Sequence, residues 1–158
     1  MTTTMKLRKH GGALVLDGPG TAASLTTDRV MRRGTITVNG AALPVEVNDR
    51  WRSGVTVGGG SPVLRLDPRQ AYVPGGAEPV SWEVSRGLRG YGAAVSRAHD
   101  RIELWLPRFH GKSVRVSVTG NWAHLELVAL AACFGLLARR RGDSLQAVAV
   151  SGAIGHGQ

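Results

Sequence analysis

The sequence LELVALAACFGLLA, residues 125–138, decides the fold that we predict for this chain. Glu126 is its only charged residue, and beyond Glu126 apolar side chains occupy every side of a helical wheel. A helix that is apolar all round is buried in a protein or in a membrane, and a membrane span needs about 20 apolar residues. Because three arginines at 139–141 end the run, we predict a helix enclosed by the rest of the protein.

The residues around this stretch set the predicted limits of the helix at 121–141. Asn121 is a suitable N-cap, since its side chain can accept from free N–H groups of the first turn. Gly142 is suited to end the helix in a left-handed conformation, and the tail at 143–158 either adds a strand or stays loose. Gly135 has low helix propensity, which indicates that packing holds this part of the helix. The many small residues of the stretch allow a narrow enclosure.

Short strand patterns fill the chain before this helix. Asn39-Gly40 lies between two apolar runs and is the strongest short hairpin signal in the sequence. Ile102, Leu104 and Leu106 alternate with polar residues, as in a strand with one buried face. The spacing predicts nine to twelve strands of an antiparallel sandwich or barrel within residues 6–120. We therefore predict a single mainly β domain over 1–158, with residues 1–5 frayed.

This order of many antiparallel strands and then one wholly apolar helix, beginning near NWAHLELVALAACF at residues 121–134, resembles the tubby C-terminal-like superfamily. That superfamily includes the LURP-one-related and phospholipid scramblase-like proteins, and the resemblance covers roughly residues 35–141. It implies an antiparallel β-barrel that encloses one hydrophobic C-terminal helix. Some tubby-like proteins bind phosphoinositide headgroups through basic residues of the barrel surface, but those positions do not match this sequence one by one.

Composition points to an anionic partner. The formal net charge is +9, and a basic surface favours nucleic acid, acidic lipid or phosphorylated ligands. The first residues do not predict a signal peptide, because the apolar run at 13–16 is too short for one. Cys133 is the only cysteine, so no disulfide can form within the chain. We expect a cytoplasmic protein, with a peripheral association with the membrane as a further possibility.

No catalytic, cofactor or metal motif stands out in the sequence. Cys133 lies among apolar residues of the helix, where a thiol is usually inert. His99 and His110 lack the spacing of metal ligands. The glycines at 58–60 lead into a strand, whereas phosphate-binding loops lead into a helix. We therefore predict no catalytic residues, no metal and no cofactor, although the sequence leaves enzymatic activity open.

Basic clusters are the remaining functional signal. Trp51 between two arginines suits a lipid interface, where amphipathic aromatic residues are favoured, and it also suits stacking on a base. The predicted ligand-binding residues are Arg50, Trp51, Arg52, Arg86, Arg89, Arg108 and Lys112. For these residues to form one patch, Arg50, Arg52, Arg86 and Arg89 must be exposed on a common surface.

Four functions remain open at this point. The first is a non-enzymatic binding module for an anionic ligand such as an acidic lipid headgroup. Nucleic-acid binding is less favoured, because only 5% of the residues are aromatic and stacking platforms are few. The third is a small barrel enzyme with a pocket lined by His99, His110 or Tyr91. The fourth is an oligomeric scaffold, since alternation directs Trp105 outward and an outward tryptophan suits a homo-oligomer interface.

Overall fold

The chain folds as a mainly β barrel with one C-terminal helix. The computed structural model describes residues 2–18, 22–76, 78–109, 111 and 113–156, with side chains as far as Ala149. The elements of these residues are β1 (Thr2–His10), β2 (Ala13–Asp17), β3 (Ala23–Thr27), β4 (Arg33–Val38), β5 (Ala41–Val47), β6 (Val55–Val57), β7 (Leu64–Leu66), β8 (Ser81–Arg86), β9 (Gly90–Arg97), β10 (Asp100–Pro107), β11 (Val114–Thr119) and α1 (Leu125–His156).

The eleven strands form one antiparallel sheet. Their order is β7-β6-β5-β4-β3-β2-β1-β11-β10-β9-β8, so β1 joins β11 and the two edge strands are β7 and β8. The sheet curls into a nearly closed barrel, and the predicted mainly β barrel is confirmed. The prediction of a frayed N-terminus is wrong for residues 2–5, because Thr2 pairs with Thr119 and Met5 pairs with Val116. Residues 2–5 carry no local strand signal, because the strand that pairs with them lies more than 100 residues later in the chain.

Two predictions from local sequence patterns are confirmed: the Asn39-Gly40 hairpin and the one-sided burial of β10. Asn39 and Gly40 have φ angles of 50° and 85° and join β4 to β5 as a two-residue hairpin turn. In β10, Ile102, Leu104 and Leu106 are buried. The side chain of Trp105 lies on the opposite, outer face, as its alternation predicts.

Helix α1 passes through the inside of the barrel. Residues 127–138 are buried on every side, and α1 contacts β3, β4, β5, β6, β7, β9 and β10. Small side chains permit this close approach. At Gly135, an added Cβ would lie 3.2 Å from the Trp82 indole, so a larger residue there would push the tryptophan away. The predicted burial of the apolar stretch is confirmed.

Both predicted ends of the helix are wrong. The helix begins at Leu125, four residues after Asn121, because His124 adopts a φ of 54° that is incompatible with helix. The helix also continues through Gly142 to His156, so the tail is neither a strand nor loose. Gly142 has a different role from the predicted one. A Cβ at this position would lie 2.7 Å from Cδ of Arg52, so glycine lets the helix pass close to that side chain.

The strand registers bring loops from both halves of the chain to one end of the barrel. The loops at 28–32, 48–54, 87–89 and 108–109 lie where α1 leaves the barrel, and we call this the exit end. Side-chain contacts join the loops and strand ends at this end of the barrel to the helix. Arg52 Nη1 lies 3.1 Å from the Ala138 carbonyl oxygen, Arg140 Nη1 lies 2.8 Å from that of Pro107, and Arg86 lies 3.3 Å from the Asp143 carboxylate.

Candidate functional site at the exit end of the barrel

The exit end collects most of the predicted ligand-binding residues. Arg50 and Trp51 belong to loop 48–54, Arg86 and Arg89 flank the turn between β8 and β9, and Arg108 follows β10. Arg50, Trp51, Arg86 and Arg89 are exposed, and Arg108 is half-buried. Lys112 and His110 lie outside the described residues. The fold therefore brings together, at one end, loops that lie far apart along the chain.

Arg52 does not belong to this exposed surface, and the prediction of its exposure is wrong. Only 4% of the residue is accessible. Its Nη1 donates toward the carbonyl oxygens of Val30, Met31 and Ala138, at 2.7, 3.0 and 3.1 Å. Backbone geometry explains the difference from its neighbours. Arg52 has a φ of 57°, which turns the chain so that its side chain points inward while Trp51 points to solvent.

Exposed apolar side chains concentrate at the same end. The four large apolar residues that are more than half exposed in the described chain are Leu88 (89%), Phe109 (76%), Val148 (68%) and Trp51 (62%). Leu88 and Phe109 lie at loop tips, and Val148 lies on the part of α1 beyond the barrel. The Arg50 guanidinium lies 4.5 Å from the Trp51 ring centroid, and that of Arg108 lies 5.2 Å from the Phe109 centroid. Apolar tips are thus interleaved with cationic groups.

Arginines outnumber carboxylates at the exit end. Besides buried Arg52, its loops and the adjoining helix carry Arg29, Arg32, Arg50, Arg86, Arg89, Arg108, Arg139, Arg140 and Arg141. The carboxylates there have intramolecular partners. Asp28 accepts a hydrogen bond from the Arg32 backbone N–H, and Asp49 accepts from the hydroxyl of Ser53. Because the arginines outnumber these carboxylates, the exit end carries a net positive charge.

A buried carboxylate anchors the loop that carries Trp51. Asp67 is 1% exposed. It accepts hydrogen bonds from the Asn48 amide at 2.8 Å and from Arg69 Nε at 3.0 Å and Nη2 at 3.1 Å. Arg69 also reaches Asp49 at 3.3 Å, so the network links the start of loop 48–54 to the end of β7. The hydrogen bonds from Arg69 hold the pKa of the Asp67 carboxyl well below its usual range.

This network predicts a loss of stability in acid. The Asp67 pKa is lower in the folded protein than the unfolded value of about 3.9, so its stabilisation is complete above about pH 5 and is lost as the pH falls toward the folded value. We expect Asp67→Asn to lower the free energy of unfolding by about 2 kcal/mol at pH 7 and by less at pH 3, where the stabilisation is only partly lost because the folded pKa lies well below its usual range. Urea denaturation at both pH values measures this difference.

A surface carboxylate provides the control for that prediction. Asp17 pairs with Arg8 at an exposed site, and such pairs contribute about 1 kcal/mol or less. Asp17→Asn should therefore change stability little at pH 7. Equal effects of the two substitutions at pH 7 would contradict the anchoring role of Asp67.

A cleft of about 620 Å³ opens between the emerging helix and the exit-end loops. Its polar lining comprises five arginines, one tyrosine, one serine and one aspartate: Arg29, Arg86, Arg108, Arg140, Arg141, Tyr91, Ser144 and Asp143. Met31, Phe109, Leu137 and Ala147 supply an apolar wall. Of the predicted residues that the structure describes, Arg86 and Arg108 line this cleft, whereas Arg50 and Arg89 lie on the surface outside it.

Sequence reasoning missed Arg29 and Asp143 as parts of a site. Asp143 Oδ2 accepts a hydrogen bond from the Tyr91 hydroxyl at 2.7 Å and lies 3.3 Å from Arg86 Nη1. Burial and this carboxylate raise the pKa of Tyr91 above its usual value, so its hydroxyl stays protonated near neutral pH and acts as a donor. The described lining holds no histidine or cysteine that would serve as a general base or nucleophile.

The other sequence candidates lie elsewhere. Cys133 is fully buried in α1, and burial raises the pKa of its thiol. His99 lies in the turn between β9 and β10, at the end of the barrel opposite the cleft. Trp105 is 38% exposed, with the Arg115 guanidinium 4.7 Å from its ring centroid. A homo-oligomer through this face stays a prediction.

Neither a metal centre nor a membrane-spanning helix is found among the described residues. They contain no cluster of three or more His, Cys, Asp or Glu side chains arranged to hold a metal ion. Within the same residues, no helix has the combination of length and apolar character that crossing a bilayer requires.

Comparison with known proteins gives no family assignment. No family model matches the chain, and neither a curated protein nor a solved structure is significantly similar to it. The barrel and its helix are compatible with the tubby-like architecture at the level of fold. Functional inference therefore depends on the residues of the exit end.

Proposed function

We propose that this protein is a non-enzymatic binding module that attaches to acidic membrane surfaces through the exit end of its barrel. One observation carries the proposal: in the part of the chain that the structure describes, the four large apolar side chains that are more than half exposed lie at the end where the arginines collect. Soluble surfaces seldom expose large apolar side chains together, and such groups mark interaction sites. Exposed apolar side chains among cationic groups suit an acidic membrane, which is apolar inside and anionic at its surface.

The two kinds of residue have separate roles in this proposal. Trp51, Leu88 and Phe109 enter the boundary between headgroups and acyl chains, where amphipathic aromatic rings are favoured. The exposed arginines attract the anionic headgroups, and each basic residue near an acidic surface contributes about 1 kcal/mol. The projecting part of α1 adds Val148 to the apolar contacts. Membership of the tubby-like superfamily would agree with this function, and it remains part of the proposal.

Nucleic-acid binding is the alternative that shares the charge requirement. Apolar tips such as Leu88 and Phe109 favour the membrane over a phosphate backbone, because phosphate contacts need donors and not aliphatic side chains. Leu88, at 89% exposure, offers no stacking surface to a base. A DNA-binding assay beside the membrane assay separates the two functions.

Charge reversal at the exit end tests the proposal. Arg50 and Arg89 are exposed and lie outside the cleft, so their replacement should leave the fold intact. We expect Arg50→Glu with Arg89→Glu to weaken binding to acidic vesicles by about 30-fold, the equivalent of about 2 kcal/mol. Trp51→Ala should weaken it further. Co-sedimentation with vesicles of phosphatidylcholine, with and without phosphatidylserine, measures these changes at two salt concentrations, since exposed charges are screened beyond about 10 Å at 0.1 M.

The matched control is a charge reversal away from the exit end. Arg101 is exposed near the opposite end of β10, where it pairs with Glu103. Arg101→Glu should bind acidic vesicles within about twofold of the wild type. The proposal fails if the wild-type protein has no preference for acidic vesicles, or if the double variant sediments as the wild type does.

A further inference from the structure

We propose that the exit-end cleft is a site for one phosphate monoester that carries an apolar substituent, with the Asp143 carboxylate as an internal competitor for the anion position. This site adjoins the loop tips of the proposed function and shares Phe109 with them, but it is lined by Arg86 and not by Arg50 or Arg89 and is tested with soluble probes, so either proposal can fail without the other. Four features of the cleft support it: the contacts of Asp143, the excess of arginine, the apolar wall and the size of the space.

The Asp143 carboxylate occupies the position that we propose for the phosphate of the ligand. Its Oδ2 lies 2.7 Å from the Tyr91 hydroxyl and 3.3 Å from Arg86 Nη1, and its Oδ1 lies 3.8 Å from Arg139 Nε. Neutral and cationic donors from β8, β9 and α1 thus converge on one carboxylate. A phosphate has three acceptor oxygens and up to two negative charges, so it can satisfy the same donors and outcompete a carboxylate with a single charge.

The cleft has more positive charge than Asp143 neutralises. Five arginines line it against one aspartate. The Arg140 guanidinium is held by the carbonyl oxygens of Pro107 and Gly111, which fixes it at the cleft wall. Among the described residues, Nε of Arg141 is buried without a hydrogen-bond partner. The positive charge of the cleft therefore exceeds the charge that the Asp143 carboxylate offsets.

The apolar wall defines the second part of the ligand. Met31, Phe109, Leu137 and Ala147 line the cleft together with the arginines. A volume of about 620 Å³ lies within the range of pockets for small molecules, about 300–1,000 Å³. Inorganic phosphate would leave most of this space to water, whereas a phosphate ester with an alkyl or acyl group would fill it. The source of the phosphate is either a lipid or a soluble metabolite.

Calorimetric titration of the 158-residue protein tests the site. The probes are short-chain phosphatidic acid below its critical micelle concentration, glycerol 3-phosphate and inorganic phosphate. We expect Asp143→Asn to bind the short-chain lipid about tenfold more tightly than the wild type, because the internal competitor loses its charge. Arg86→Gln should bind it about tenfold more weakly. Arg101→Gln, outside the cleft, should equal the wild type.

The three probes separate the possible sources. Tighter binding of the lipid than of glycerol 3-phosphate supports an apolar substituent in the cleft, and equal binding overturns that part of the proposal. An Asp143→Asn protein that binds no more tightly than the wild type overturns the role of Asp143. A loss in Arg101→Gln equal to that in Arg86→Gln would show diffuse charge attraction and overturn the site. Substitution of Trp51 should leave binding of the soluble probes unchanged even where it abolishes vesicle binding.

Discussion

An Ala132→Asp protein is expected to fail to fold, which is the largest effect of any single substitution in this chain. Ala132 is completely buried in the part of α1 that the barrel surrounds. An unpaired carboxylate there loses its hydration and gains no cationic partner. Substitutions of this kind cost more than about 4 kcal/mol, and small domains have only about 5–15 kcal/mol of stability in total. We expect insoluble expression, or circular dichroism without a cooperative thermal transition.

The same substitution on the projecting part of the helix is the control. Ala149 belongs to α1 but is exposed, so Ala149→Asp changes the same residue type without burying a charge. Its melting temperature should stay close to that of the wild type. A soluble Ala132→Asp protein that melts like Ala149→Asp would show that the barrel does not enclose this part of the helix.

The barrel could be predicted because its signals are local or periodic. The stretch at 125–138 is apolar on all sides, and that pattern has few physical solutions besides enclosure. Alternation in β10 and the Asn39-Gly40 turn likewise depend on neighbouring residues only. The helix ends were wrong because they depend on distant contacts. A glycine after an apolar run usually marks a helix end, but Gly142 instead leaves room for the Arg52 side chain, which comes from a loop 90 residues earlier.

The candidate site could be predicted only in part, for a related reason. Residue type identified Arg50, Trp51, Arg86 and Arg108 as surface candidates, and the fold does place their loops at one end. The same reasoning failed for Arg52, because no local pattern indicates a φ of 57° or carbonyl oxygens from two distant segments. The run Arg50-Trp51-Arg52 reads as one patch, yet the backbone divides it into an exposed pair and a buried anchor.

The cleft depends on topology more than on motifs. Arg29, Tyr91 and Asp143 come from three distant parts of the chain, and none belongs to a recognisable signature. One available signal was the alternation of an antiparallel barrel, which places every second connection at the same end. Counted along the chain, alternation groups loop 28–32 with loop 48–54 but assigns 87–89 to the opposite end. The fold differs because the connection at 67–80 crosses from one end of the barrel to the other, so strand order alone could not group Arg29 with Arg86.

The second large effect is expected from Arg52→Met, which removes a buried cation while keeping a long side chain. Three carbonyl oxygens, those of Val30, Met31 and Ala138, then lose their donor. Each unsatisfied buried group costs about 1–3 kcal/mol, and relief of the buried charge offsets part of the total. We expect a loss of about 3 kcal/mol in the free energy of unfolding, which corresponds to about 10 °C in melting temperature.

The neighbouring arginine makes this prediction specific. Arg50 is exposed and stacks on Trp51, so Arg50→Met should change stability by about 0.5 kcal/mol or less and weaken binding to acidic vesicles. Arg52→Met should lower the stability but leave vesicle binding unchanged at a temperature where the protein remains folded. The reason is that the Arg52 guanidinium faces loop 28–32 and α1. Thermal denaturation and vesicle co-sedimentation of both variants measure the contrast. The buried structural role of Arg52 would be contradicted by an Arg52→Met protein as stable as the wild type, or by one that is folded but no longer binds vesicles. Either result would indicate that Arg52 belongs to the ligand-binding surface.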